Sequence, residues 1–182
     1  MGAFYLGNIM KNEKQTIIER LVTKIFSRFP TISEIWAKKF TAHRVEGIPW
    51  TPFVKELSKC KVAIVTTAGV HLKSQKPFDM EDREGDPTFR EVPKDAPKSS
   101  LTITHKYYDH ADADRDINII FPIDRLSEMK ESGEVGEVGG LNYSFMGHIL
   151  GRHIKTLVEE TAPEVARRLK NAGADVVLLT PG

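Results

Sequence analysis

Along this chain the apolar positions fall into two rhythms, one helical and one of short uninterrupted runs. Between Asn12 and Phe29, the residues Ile17, Ile18, Leu21, Val22, Ile25, Phe26 and Phe29 recur at helical spacing. Asn12 with Gln15 resembles a capping box, and Pro30 ends the element because proline disfavours helix in the residue before it. A second short helix is expected after Ser33, with Ile35, Trp36 and Phe40 on its apolar side. Residues 47–52 (GIPWTP) read as an extended, proline-punctuated connector. The pattern then changes. Val62, Ala63, Ile64 and Val65 form an apolar run short enough for a strand buried on both faces. Thr88 to Val92, Leu101 to Thr104 and Ile117 to Phe121 read as further strands, the last stopped by Pro122. Asp124 to Ser132 reads as a helix, with Leu126 and Met129 inward, Gly133 at its end and Asp124 as a helix-capping residue. The glycine-rich, acidic 134–140 reads as a mobile surface loop rather than a phosphate cradle, since no Gly-Lys-Ser/Thr opens a helix there. Thr161 with Glu164 makes a second capping box, with Pro163 in the first turn, Val165, Ala166 and Leu169 facing inward and Gly173 as a left-handed cap. Residues 174–179 (ADVVLL) complete the pattern as a fully buried strand.

This order predicts an α/β fold: residues 1–47 as an N-terminal helical extension and 48–182 as an α/β domain. The strands at Lys61 to Thr66, Leu101 to Thr104, Ile117 to Phe121 and Ala174 to Leu179 are expected as neighbours in one mainly parallel, doubly wound sheet flanked by helices. Ligands of such sheets sit in the crevice outside the carboxyl ends of the strands. The first strand opens into the small residues Thr66, Thr67, Ala68 and Gly69, and then into His71, Lys73, Ser74, Gln75 and Asp79. That layout suits a crevice wall; the alternative is a plain turn in which His71 and Lys73 are solvated. The sequence stops at the carboxyl end of a central-looking strand with no covering helix, so the domain is expected to be incomplete there. Such a form would expose an apolar patch and be poorly soluble, self-associating or marginally stable.

Composition narrows the classes. The 182 residues suit about one domain, and 26 Lys and Arg against 25 Asp and Glu leave a net charge of +1. That balance gives no electrostatic case for nucleic acid or an anionic membrane. No apolar run is long enough to cross a bilayer, and the first ten residues lack the features of a signal peptide. The single cysteine, Cys60, excludes an internal disulfide and reads as a packed thiol. A cytoplasmic protein is the expectation.

From Trp50 onward the sequence resembles the selenoprotein B family of glycine, betaine, sarcosine and D-proline reductases. The resemblance is carried by WTPFVKEL from Trp50, VTTAGVHLKSQKPFD from Val65, FREVP from Phe89, THKYYDHADADRDINIIFPIDRL from Thr104, YSFMG from Tyr143 and ETAPEVARRLKNAGADVVLLTPG to Gly182. Several long motifs in one order, over roughly three-quarters of the chain, are far more specific than one short pattern. In these families the strand matching ADVVLLTPG is followed at once by selenocysteine or cysteine in a U-x-x-C-H type motif. Selenocysteine is encoded by a codon that otherwise means stop, so the resemblance implies a frame ended one residue before the nucleophile. It further implies reductive cleavage of a C–N bond in a small amine or amino acid. A pyruvoyl group on a partner subunit activates the amine, no cofactor is held by this chain, and a dithiol, thioredoxin-like reductant resets the centre.

Carried over residue by residue, the resemblance makes His71 a catalytic proton donor to the leaving amine, since histidine titrates near neutral pH. Thr67, Gly69, Lys73, His105, Asp109, Asp116 and Asn118 become substrate-binding residues, with Lys73 as a point charge for a carboxylate. Two other classes stand beside this one. His105, Asp109 and His110 spell H-x-x-x-D-H, like the metal motif of a metal-dependent hydrolase, but Tyr107 stands where that motif has its middle histidine. Alternatively the chain is a non-catalytic α/β scaffold for a partner.

Overall fold

The computed structural model describes residues 51–182. The helices expected at 12–29 and after Ser33, and most of the 47–52 connector, lie outside the described residues. Val54–His105 and His110–Gly182 form one compact unit; Lys106–Asp109 belongs to the other.

The apolar run at 62–65 becomes β1 (Lys61–Thr66), with Val62, Ala63 and Ile64 buried. Burying such side chains stabilises by about 1.5–3 kcal/mol each. Along its whole length β1 pairs in parallel with β7 (Val176–Thr180). Its other edge takes two short strands in succession. β5 (Glu137–Val138) pairs with Lys61 and Val62, and β6 (Leu141–Phe145) pairs with Val65 and Thr66, both in parallel. Between them Gly139 and Gly140 interrupt the ladder, and the side chain of Asn142 fills the gap: its Oδ1 accepts the Ile64 N–H at 2.7 Å. A buried main-chain donor needs a partner, and here a side chain supplies it.

β3 (Phe89–Pro93) pairs with β6 in antiparallel register, Phe89 opposite Phe145 and Pro93 opposite Leu141. The sheet is therefore mixed, not purely parallel. β2 (Val70–Leu72) and β4 (Leu101–Ile103) form a separate antiparallel pair. The strand expected at 101–104 thus exists but lies outside the main sheet. The one expected at 117–121 does not form: Ile117–Ile119 is a 3₁₀ turn, because Asp116 accepts the Asn118 N–H and starts a tight turn instead. The 134–140 stretch is no surface loop, since it holds β5 and buries Val135 and Val138.

Helices follow the same mixture of agreement and correction. α1 (Ala111–Arg115) is one short turn; α2 (Ile123–Glu131) matches the expected helix, burying Ile123 and Leu126 and ending before Gly133 at φ +79°. The capping box at Thr161 is not a helix start. α3 (His153–Thr156), a π turn (Leu157–Thr161) and α4 (Ala162–Asn171) make one continuous helical rod. Pro163 has no N–H to give the preceding turn, and the rod widens there to accommodate its ring. Thr161 makes no capping bond, and its hydroxyl is buried without a partner. Val165 and Leu169 pack on Ala63, Tyr143 and Phe145, whereas Ala166 faces solvent. β7 is not fully buried: it lies beside β1 with Leu179 72% exposed and Val177 and Leu178 more than one-third exposed.

Candidate active site

β1, β6 and β7 are parallel, so their carboxyl ends lie side by side. Three short segments leave those ends: 67–69, 146–148 and 180–182. They pack backbone against backbone. A Cβ on Gly147, at φ +86°, would stand 2.3 Å from the Thr67 carbonyl oxygen, and one on Gly182 would stand 2.6 Å from Ala68 Cα. Gly69, at φ +72°, is as tight against the Thr104 carbonyl oxygen, 2.4 Å. Glycine is the residue that tolerates both the left-handed conformation and the contact. Main-chain bonds knit the loops: Thr67 N–H donates to the Thr180 carbonyl, Gly69 N–H to Phe145, and Thr104 N–H to Gly69, each at 2.9 Å.

Of the residues singled out from sequence, Thr67, Gly69 and His105 come together at these strand ends. Thr67 is exposed; His105 is half-buried beside Gly69 and faces His148 and His110. Burial pushes its imidazole down to about 4, the two neighbouring histidines adding to the effect against a hydrogen bond with the Met146 backbone. His105 is therefore neutral at physiological pH and does not act as a cation.

Asp116 and Asn118 form the lip of the crevice. Asn118 donates to Asp116 and Asp124 through Nδ2 and accepts the Asp124 N–H, so its side chain is spent on holding the lip to the start of α2. Asn118 and then Lys98 hold Asp116 and Asp124 respectively below the usual carboxylate range. Beyond the lip, the Ile120 carbonyl accepts the hydroxyls of Thr66 and Thr180, at 3.0 and 2.6 Å.

His71 and Lys73 follow Gly69 on β2 and the turn after it. His71 is an inward residue of β2, not a solvated loop residue, and 2% exposed. Its Nδ1 lies 2.8 Å from the Leu72 carbonyl, which requires a donor, and Nε2 lies 2.7 Å from the Thr104 hydroxyl. One neutral tautomer satisfies both. Lys73 is exposed, its Nζ donating to the Ser99 carbonyl. Asp109 belongs to the other unit. His110 pairs with Asp114 at 2.8 Å, and among the described residues no group of three His, Cys, Asp or Glu side chains has a metal-binding arrangement. The hydrolase alternative has no ligand set here. A cavity of about 400 Å³ is lined by none of the strand-end residues; in its wall Asp86 pairs with Arg90 and Asp82 with His153.

The sequence contains one cysteine, and it is at the wrong end of the sheet for this crevice. Cys60 precedes β1, is fully buried, and donates its S–H to the Glu56 carbonyl at 3.1 Å. Six residues of β1, roughly 20 Å at about 3.3 Å each, separate it from the strand ends. Thr180, Gly147 and the Ile120 carbonyl were not singled out from sequence, and Thr66 only as one of the small residues at the end of the first strand. The only signal for them was position, each lying at or just after the end of an apolar run.

The profile of the family described as Glycine/sarcosine/betaine reductase selenoprotein B (GRDB) matches residues 9–182. The chain belongs to the selenoprotein B family. Among curated relatives, D-proline reductase subunit gamma of Acetoanaerobium sticklandii is 44% identical over 133 residues, covering 73% of this chain and 53% of that protein. Glycine reductase complex component B subunit gamma of Carboxydothermus hydrogenoformans is 28% identical, covering 82% of this chain and 35% of its own. Betaine reductase complex component B subunit beta of Peptoclostridium acidaminophilum is 30% identical, covering 70% and 29%. This selenoprotein B chain thus spans about half the length of the first of these relatives and about a third of the other two. No solved structure matches. No helix among the described residues is long and apolar enough to cross a membrane.

Proposed function

We propose that this chain supplies the strand-end crevice of a selenoprotein B component that reductively cleaves a C–N bond in a small amine or amino acid. D-proline is the first substrate to test, because the relative named for it is 44% identical over most of the chain. The observation that carries the reading is the convergence of three parallel strand ends on glycine-walled loops, in a chain matched to the family over residues 9–182.

The chemistry needs a chalcogen anion at that crevice, and Cys60 sits at the opposite end of β1. We therefore place the nucleophile in polypeptide following residue 182, where the resemblance puts selenocysteine or cysteine. A helix start there would stabilise the anion through unpaired N–H groups. Breaking the C–N bond takes up two electrons and two protons, and a dithiol reductant is oxidised to its disulfide. A pyruvoyl group on a partner subunit supplies activation of the amine. Within this chain, Thr67 offers a hydroxyl to the substrate, with neutral His105 beside Gly69 at the same strand ends and Asp116 and Asn118 at the lip. As proton donor to the leaving amine, His71 would give up one of its bonds, to Leu72 or to Thr104. The coding sequence past the Gly182 codon tests the proposal. A continuation with a U-x-x-C-H or C-x-x-C-H motif supports it; one with neither selenocysteine nor cysteine within the next few residues would sink it.

A further inference from the structure

We propose that Thr66 and Thr180 are positioning residues of the crevice, acting through one shared acceptor, the Ile120 carbonyl. The proposal rests on reading the strand ends as the reaction centre. Thr66 ends β1 with none of its surface exposed, and Thr180 ends β7. The two strands are direct partners, Thr66 opposite Thr180, so their hydroxyls reach the lip from neighbouring positions. Both hydroxyls donate to Ile120, which is itself buried. A carbonyl oxygen has two lone pairs, and here both are used.

The connections continue on the loop side. The Thr66 hydroxyl also accepts the Ala68 N–H at 3.2 Å, and Thr67 N–H donates to the Thr180 carbonyl at 2.9 Å. The lip, the 67–69 loop and the end of β7 are thereby tied at one point. Gly182 lies two residues beyond Thr180 and against Ala68, where an added Cβ would stand 2.6 Å from Ala68 Cα. Whatever follows residue 182 begins from a position that these bonds set. Neither hydroxyl is a catalytic group: each acts through the Ile120 carbonyl. A displacement of about 1 Å at a reacting centre can cost about 100-fold in rate, so such a tie is worth testing kinetically.

The test uses Thr66→Val, Thr180→Val and Thr180→Ser in the complete chain. Valine keeps the shape and removes the hydroxyl; serine restores the hydroxyl on a smaller side chain. Amide hydrogen exchange reads the tie without reference to activity. We expect Thr66→Val to speed exchange at Ala68 about fivefold or more, given the net worth of one hydrogen bond, and Thr180→Val, which keeps the Thr180 carbonyl, to speed it measurably at Thr67 through the released strand end. Amides inside β1 and α4 should be unmoved, and Thr180→Ser should behave as wild type. Dithiol-dependent turnover with D-proline then reads positioning: kcat should fall at least tenfold in Thr180→Val with KM little changed, and return in Thr180→Ser. Unchanged exchange at Thr67 and Ala68, a uniform acceleration across the domain, or unchanged kcat in the valine variants would each overturn the proposal. A wild-type complex without turnover would fail the functional reading instead, and the kinetic role of the two threonines with it, while the exchange result would still decide whether the tie exists.

Discussion

Replacing Asn142 should show how the interrupted strand beside β1 is held. Its Oδ1 accepts the Ile64 N–H at 2.7 Å, and both Asn142 and Ile64 are fully buried. The Nδ2 contacts to the Val92 and Gly139 carbonyls, at 3.4 and 3.5 Å, are at the limit of hydrogen bonding and contribute little. In Asn142→Leu, the branched side-chain shape is kept at a larger volume, and the Ile64 donor loses its partner. A buried donor left unpaired costs about 1–3 kcal/mol. Asn142→Ala adds the loss of packing at a site that cannot fully collapse, bringing the expected total to about 2–4 kcal/mol. Against a domain stability of about 5–15 kcal/mol, that is a large fraction. With a urea slope of about 1–3 kcal/mol/M, the midpoint of Asn142→Ala should fall by roughly 1–2 M at unchanged slope. Exchange at the Ile64 amide should accelerate more than at Ala63, which faces β7. An Asn142→Leu unfolding free energy within about 0.5 kcal/mol of wild type would refute the claim that this side chain completes the ladder.

Three further outcomes follow from the site. Gly147→Ala places a Cβ 2.3 Å from the Thr67 carbonyl at a left-handed φ, so it should destabilise by about 1–3 kcal/mol and disturb amide shifts across 67–69 before those of α4. His105 has a folded pKa of about 4, depressed below its ordinary 6.5 by burial. The unfolded chain therefore takes up the proton first, and this contribution to stability is full above about pH 6.5 and declines as pH falls towards 4. His105→Gln should flatten that part of the stability curve, and an NMR titration placing His105 near 6.5 would contradict the assignment. Cys60→Ala should leave dithiol-dependent turnover unchanged while lowering stability by about 1 kcal/mol, because the thiol packs at the far end of β1.

The sequence reveals elements whose local signals agree with their tertiary setting. β1 is apolar on both faces, α2 has its inward Leu126 and its Gly133 stop, and Gly173 ends α4 in the left-handed conformation at φ +76°. It conceals those in which a polar residue does a strand's work. Asn142 and Ser144 make β6 look irregular, yet both are fully buried in the sheet. At 117–121 the apolar run looks like a strand, but Asp116 and Pro122 at its flanks impose a tight turn and a stop. Thr161, Pro163 and Glu164 spell a helix start and instead lie within a rod that begins at His153. At the site, Thr67, Gly69 and His105 are legible because they stand next to a strand end. The pairing of Thr66 with Thr180 is not, because it depends on two strands 114 residues apart finding each other, as Val62 and Val176 do in the register.

The central claim is that these strand ends belong to a dithiol-driven reductase. Its most direct test is turnover by the protein extended past residue 182, with cysteine or selenocysteine at the position after Gly182, combined with a pyruvoyl-bearing subunit of the kind proposed above. With D-proline, a dithiol and the partner subunit proposed above, the account predicts a ring-opened, straight-chain amino acid formed in step with disulfide, and its loss when that cysteine or selenocysteine is replaced by serine. Absence of dithiol-dependent product from D-proline, glycine, sarcosine and betaine alike, in a folded and assembled complex, would contradict it.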